Sequence, residues 1–162
     1  MDVVDPSNAT TRGHGDPRVV ALFSDLEPRL RQALFAYAGP HEIDDAIGDA
    51  FAHLCAQPER ILAMRNPHGY LYRVARNASR GARRRTPNLT SPDLHHDPEI
   101  SPELVPSLER LTANQRTSVF LVSGLGWTWG EVAEFLGTST STVRNHHRRG
   151  MRKLRQDLGG PS

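Results

Sequence analysis

Six arginines, Arg73, Arg76, Arg80, Arg83, Arg84 and Arg85, fall within thirteen residues that hold no Asp or Glu. A second basic run, Arg144, Arg148, Arg149, Arg152, Lys153 and Arg155, lies near the C-terminus with only Asp157 beside it. Guanidinium groups at this density, with no counter-charge among them, bind anions. The planar donor fork of Arg suits phosphates and the edge of guanine, so nucleic acid is the ligand class this chemistry names. Arg outnumbers Lys nineteen to one. That bias agrees with nucleic-acid contact and agrees equally with a GC-rich coding sequence.

Other chemistries find less support. His95-His96 and His146-His147 are adjacent pairs. Adjacent residues point to different sides of a helix, and no Cys or carboxylate completes a ligand set, so neither a metal site nor a cofactor is expected. His53 and Cys55 are two residues apart, which also fails as ligand spacing on one helical face. Cys55, the only cysteine, follows an apolar stripe and reads as a small core residue; one cysteine excludes a disulfide framework. No nucleophile stands beside a base and no phosphate-cradling loop is visible, so no enzyme is expected. Trp127 and Trp129 straddle Thr128 at a helix start and read as packing between helices.

The elements that carry the arginines follow from apolar spacing. Val19, Leu22, Phe23, Leu26, Leu30, Leu34 and Tyr37 predict a helix over 19–38, with Pro28 a break or second start and Gly39-Pro40 a stop. Ile43, Ala46, Ile47, Ala50, Phe51 and Leu54 predict a second helix to Cys55, with Asp44, Asp45 and Asp49 off its stripe and near its start, where carboxylates suit the dipole. Asn66-Pro67 reads as N-cap and first residue of a third helix running to about Arg84. Leu71, Val74, Ala75, Ala78 and Ala82 form one face of it. Arg73, Arg76, Arg80, Arg83 and Arg84 centre roughly 170° away, at about 100° per residue. With Tyr70 and Tyr72 at its start, the basic face suits phosphates and unpaired bases.

The C-terminal basic run sits on a more specific pattern. Thr128 and Glu131 fit a capping box that opens a helix through Val132, Ala133 and Leu136, stopped by Gly137. Thr138-Ser139 form a polar turn, and the next helix begins at about Thr140 and includes Val143. The spacing of Ala133, Gly137 and Val143 is that of a helix-turn-helix: close approach, left-handed turn, return packing. The second helix of such a unit enters the major groove by its N-terminal residues. Ser139, Thr140, Ser141, Arg144, Asn145, Arg148, Arg149 and Arg152 are its candidate DNA contacts.

The expected architecture is all-α, with two small helical domains joined by a flexible linker. Residues 1–17 read as a flexible arm, 18–85 as the first domain, 86–102 as a Pro-rich acidic linker and 103–162 as the helix-turn-helix domain. The net charge of +2 over 162 residues hides this division. By segment it is −4 over 1–72, +6 over 73–85, −5 over 86–109 and +5 over 110–162. Two basic blocks separated by an acidic one predict two anion-contacting surfaces. The N-terminal stretch has no basic region followed by an apolar run, and no stretch has the length of a bilayer span. No signal peptide or membrane insertion is expected, and the location expected is cytoplasmic.

IDDAIGDAFAHL followed by NPHGYLYRVARNASRGARRR resembles region 2 of the extracytoplasmic-function (ECF) sigma factors of bacterial RNA polymerase. LERLTANQRTSVFLVSGLGWTWGEVAEFLGTSTSTVRNHHRRGMRKLR resembles their region 4. The resemblance spans about 18–85 and 104–158, in order. It implies a dissociable subunit that gives polymerase core its promoter choice. Region 2 would dock on the β′ clamp and open the −10 element; region 4 would dock on the β flap and read the −35 element. Asp44, Asp45 and Asp49 are then the expected core-facing residues. Asn66, Tyr70, Tyr72, Arg73, Arg76, Asn77, Arg80, Arg83 and Arg84 are the expected −10 contacts, with the base-capturing loop near 60–67. The family pattern is departed from at Gly48, usually Gln, and at Cys55, commonly Trp. An anti-sigma factor is a further possible partner. Two other readings stand beside this one: a LuxR-type helix-turn-helix regulator, and a sigma-like interaction protein inactive at promoters. The first module lacks the alternating strands and helices of a receiver domain, which counts against the LuxR reading.

Overall fold

The structure is a computed structural model that describes residues 15–41, 43–80 and 101–159. Among these residues the secondary structure is entirely helical. The first half holds α1 (Pro17–Ala38), α2 (Ile43–Ala56), the short α3 (Pro58–Leu62) and α4 (Pro67–Ser79). The second half holds α5 (Val105–Glu109), α6 (Ala113–Val119), a π-helical turn (Phe120–Gly124), α7 (Trp129–Leu136) and α8 (Thr140–Asp157). Residues 1–14 of the expected arm and 86–100 of the expected linker lie outside the described residues.

Helix α1 starts where its chemistry directs: the Asp16 carboxylate accepts from the Arg18 N–H (2.9 Å), and Pro17 takes the first turn. It runs unbroken through Pro28, where a break or second start was the alternative. Proline removes one intrahelical bond, but Leu26, Leu30, Ala33 and Leu34 are all fully buried around it, and that packing carries the helix across. The expected stripe of α2 is buried at Ile43, Ala46, Ile47, Ala50 and Leu54, and Cys55 is buried behind it. Phe51 is half-buried and packs at a tilt against Phe23, centroids 4.6 Å apart. Helix α3 was not anticipated; it shortens the expected loop over 60–67 to 63–66.

In the second half, capping boxes open both α6 (Thr112 with Gln115) and α7 (Thr128 with Glu131). Gly137 closes α7 in the left-handed conformation, φ 65°, which a Cβ makes costly. Ser139 then caps α8, its hydroxyl accepting from the Thr142 N–H at 3.2 Å. Val143, Gly150 and Leu154 form the buried side of α8. At Gly150 a Cβ would come within 2.7 Å of the Val119 side chain and 3.4 Å of the Gln115 carbonyl. The absence of a side chain there lets α8 lie close on α6.

The two halves pack on each other. Tyr72 of α4 meets Phe135 of α7 edge-on (5.7 Å) and Trp127 (6.3 Å), and Tyr37 of α1 also meets Phe135 (5.9 Å). Each half also places an arginine on carbonyls at the C-terminal end of a helix in the other. Arg116, only 3% exposed, donates to the carbonyls of Ala36 and Tyr37 (2.8 Å each) and to that of Leu111 (3.2 Å). Arg76 donates to the carbonyls of Phe135 (3.2 Å) and Leu136. The last carbonyls of a helix lack intrahelical donors and carry partial negative charge. The Arg116 guanidinium is tolerable in the interior because each of its three nitrogens donates to a carbonyl.

Candidate nucleic-acid interface

Helix α8 sorts its residues cleanly. At about 100° per residue, Arg148, Arg152 and Asn145 lie opposite Val143, Gly150 and Leu154, and Arg144 lies on the flank between the two sides. Ser139, Thr140, Ser141, Arg144, Asn145, Arg148, Arg149 and Arg152, the predicted contacts, are all exposed. Some are already engaged. The Ser139 hydroxyl, besides capping, lies 3.0 Å from that of Ser141 and 2.8 Å from that of Thr142. Arg148 donates to the Asn145 side-chain carbonyl at 2.9 Å, which leaves the Asn145 amide free to donate. Arg144 lies over the ring of Trp129, 5.7 Å from its centroid. The one acid of α8, Asp157, is at its far end and pairs with Arg110 (3.4 Å).

Behind this face, His147 is held by the Ser123 hydroxyl (2.7 Å) and meets Trp129 edge-on (5.0 Å). Burial lowers the pKa of His147 below that of ordinary imidazole. Burial, with Arg149 nearby, does the same for His146. Both rings are therefore neutral at neutral pH. Of the tryptophans, Trp127 packs between the halves, under the Arg29 guanidinium (4.8 Å) and with its N–H on Gln32 (3.3 Å).

Helix α4 has three sides rather than two. Leu71, Ala75 and Ser79 are buried, with Val74 and Ala78 half-buried, on the side of the first half's core. Arg73, Asn77 and Arg80 are exposed, with Tyr70 half-buried at that side's start. A third side, Gly69, Tyr72 and Arg76, faces α7. Tyr72 is 4% exposed and its hydroxyl is pushed up to about 12 by burial. In this arrangement it packs the halves together instead of offering a stacking face. Arg76 is occupied by the α7 carbonyls. Asn66 caps α4 through its carbonyl (2.9 Å to the Gly69 N–H) while its amide donates to Glu134. Arg83 and Arg84, and the expected continuation of α4 to them, lie outside the described residues.

The acidic residues of α2 are open to solvent. Asp44, Asp45 and Asp49 are exposed on the side away from the core. Asp44 is partly neutralised by Arg31 (2.8 Å). Gly48 beside them is open, with nothing within 4 Å of where a Cβ would stand. Cys55 lies in the core, and burial raises its thiol pKa.

Several residues that matter to the arrangement have no strong sequence signal. Arg29 pairs with Glu131 (2.5 Å), which also accepts from the Thr128 N–H (2.8 Å); the guanidinium first, and then that backbone bond, hold its carboxyl below the usual range. Arg29, Arg116 and Glu134 look like surface charges in a helical pattern, and Glu131 signals only its capping box. The Thr112–Gln115 capping box was readable as Thr-x-x-Gln before the α6 helix. Among the described residues, no three His, Cys, Asp or Glu side chains gather as a metal site, and no helix is long and apolar enough to cross a membrane.

A helical chain with an exposed basic recognition helix on a helix-turn-helix, preceded by a helical half with its own arginine face, is a DNA-binding architecture of the transcription machinery. The family models agree in detail: "Sigma-70 region 2" matches residues 22–87 and "Sigma-70, region 4" matches residues 107–156. Between them these stretches take in well over half of the chain, and the protein belongs to the sigma-70 family of sigma factors. Among solved structures, the chain is similar to the sigma factor RpoE from Bartonella quintana, solved in complex with the anti-sigma factor NepR. The match has 17% identity and a TM-score of 0.64, over 86% of this chain and 96% of that one. It is also similar to CnrH, solved in complex with the cytosolic domain of CnrY, with 22% identity and a TM-score of 0.63, over 98% of this chain and 99% of that one. No curated protein matches the chain.

Proposed function

We propose that this protein is an ECF-type sigma factor, a cytoplasmic subunit without a reaction of its own that directs RNA polymerase core to promoters. The observation that carries the reading is the pairing of the two family regions, in order, each with an acid-free arginine face. Helix α8 would read the −35 element in the major groove through Ser139, Thr140, Ser141, Arg144, Asn145, Arg148, Arg149 and Arg152. The first half would hold the −10 element. Arg73, Asn77 and Arg80 are open to it in the free chain and Tyr70 is partly so, and Arg83 and Arg84 follow them in the sequence as further candidates. Asn66, Tyr72 and Arg76 would join only when the halves part. Opening the duplex would draw on binding energy, since unpaired bases must be captured as it melts.

The exposed Asp44, Asp45 and Asp49 suit a basic surface on the β′ clamp, and the second half would dock on the β flap. An anti-sigma factor is a fitting regulatory partner, because RpoE and CnrH were each solved with a second protein bound. Co-elution of the full chain with polymerase core tests the core-binding part. Replacing Asp45 and Asp49 together by Lys should weaken co-elution about tenfold or more, since like charges at an interface cost several kcal/mol. Undiminished co-elution would remove the acidic face from the docking surface.

A further inference from the structure

Arg144 is set apart from the other arginines of α8 by what holds it. Arg148 leans on Asn145, its neighbour on the same helix. Arg144 instead lies over Trp129, a residue of the preceding helix, 5.7 Å from the ring centroid. Trp129 is half-buried against the core as the first residue of α7, directly after the Thr128 cap. Its other neighbour is His147, edge-on at 5.0 Å with planes 89° apart. His147 is in turn fixed by the Ser123 hydroxyl at 2.7 Å, from the π-helical turn. Ser123, His147, Trp129 and Arg144 thus form a chain of contacts from the back of the helix-turn-helix to its reading face.

We propose that Trp129 is a positioning residue for base reading: it holds the Arg144 guanidinium in place for one base pair, and His147 and Ser123 hold Trp129. The proposal rests on the reading of α8 as the helix that enters the major groove. The physical case lies in how a guanidinium is built. Stacking uses the flat face and leaves the in-plane N–H donors free. Arg144 can therefore stay on Trp129 while its fork bonds the O6 and N7 of a guanine. An arginine already laid on a ring has also surrendered part of its rotamer freedom before DNA arrives, so less is lost on binding. Phosphate contacts by the other arginines need no such fixing, because they are not confined to one base edge.

The test uses the full chain and a pool of short duplexes with a randomised central stretch. Bound duplexes are sequenced for the wild type, Arg144→Ala, Trp129→Leu, Trp129→Phe, Ser123→Ala and the Arg144→Ala, Trp129→Leu double variant. Arg144→Ala should flatten the preference at one base pair by about tenfold. Trp129→Leu should flatten the same position by about two- to fivefold, the size of an exposed cation–π contact. Trp129→Phe, which keeps an aromatic face, should restore most of the preference. The double variant should match Arg144→Ala alone, and the salt dependence of Trp129→Leu should equal that of the wild type.

Ser123 is exposed, so Ser123→Ala leaves the packing intact and should shift the same position in the same direction by less. It keeps the proposal testable if Trp129→Leu does not fold. Uniform weakening on all duplexes by Trp129→Leu, or additivity in the double variant, would overturn the positioning role. A preference untouched by Arg144→Ala would overturn both that role and the reading of α8 on which it rests. A preference flattened by Arg144→Ala but untouched by Trp129→Leu and Ser123→Ala would overturn the positioning role alone.

Discussion

His147 shows how far one side chain's surroundings decide its charge. In the basic run of α8 it looks like a further cation for phosphate. Burial against Ser123 and Trp129 lowers its pKa instead, and burial with the nearby Arg149 lowers that of His146. The unfolded chain then takes up protons near the ordinary imidazole value of 6.5, where the folded chain still resists them. Stability is full above that value and is lost as pH falls through the lower folded values. The denaturant midpoint should be lower at about pH 5 than at about pH 7.5. His147→Gln, which keeps a hydrogen-bonding group beside Ser123 without a titration, should shrink the difference. A midpoint that rises on acidification, or an equal difference in the variant, would contradict this account. The neutral state of His147 was not readable from the sequence, because it comes from tertiary burial, which no spacing rule marks.

Helix α4 makes the same point at the scale of an element. Its apolar residues predicted one buried face, and the arginines opposite predicted one basic face. The buried face is present through Ser79, and of the basic face Arg73 and Arg80 are exposed, but a third side of Gly69, Tyr72 and Arg76 belongs to the other half. Local periodicity could not expose it, since Arg76 and Tyr72 are chemically at home on a DNA-facing surface. The α7–turn–α8 unit was legible almost to the residue, from Thr128 through Gly137 to Val143. Its signals are local: a capping box, a left-handed glycine and a return contact. The three sides of α4 give different expectations for an unpaired DNA strand. Arg73→Ala and Arg80→Ala should each lower the slope of log affinity against log salt by about 0.7. Arg76→Ala should leave that slope as it is in the free chain and lower stability, because it empties the α7 carbonyl site. A slope reduced equally by Arg76→Ala would mean that the third side is open to DNA.

Over the whole molecule, the sequence divides into two helical halves, and the structure joins them through Arg116, Arg76, Tyr72, Trp127 and Phe135. The joining surface had no signature, because each of its residues has an ordinary role in its own helix. Arg116→Ala leaves the Ala36 and Tyr37 carbonyls without their buried donor and should cost about 1–3 kcal/mol of stability. Small-angle scattering should then report a larger radius of gyration, as the halves separate more often. An unchanged radius with unchanged stability would show that Arg116 does not hold them. The separation bears on the proposed function, since Tyr72 and Arg76 are covered by α7 in this arrangement and Asn66 is bonded to it.

As a sigma factor, this chain would give RNA polymerase its choice of promoter. The most direct measurement mixes the full chain with polymerase core and a pool of promoter-like DNA, and sequences the transcripts. Transcripts should start at defined sites sharing a −10 and a −35 element, appear only when the chain is added, and be lost with Arg144→Ala and Arg73→Ala together. Core that binds the chain yet makes no site-specific transcript, or does not bind it at all, would contradict the claim.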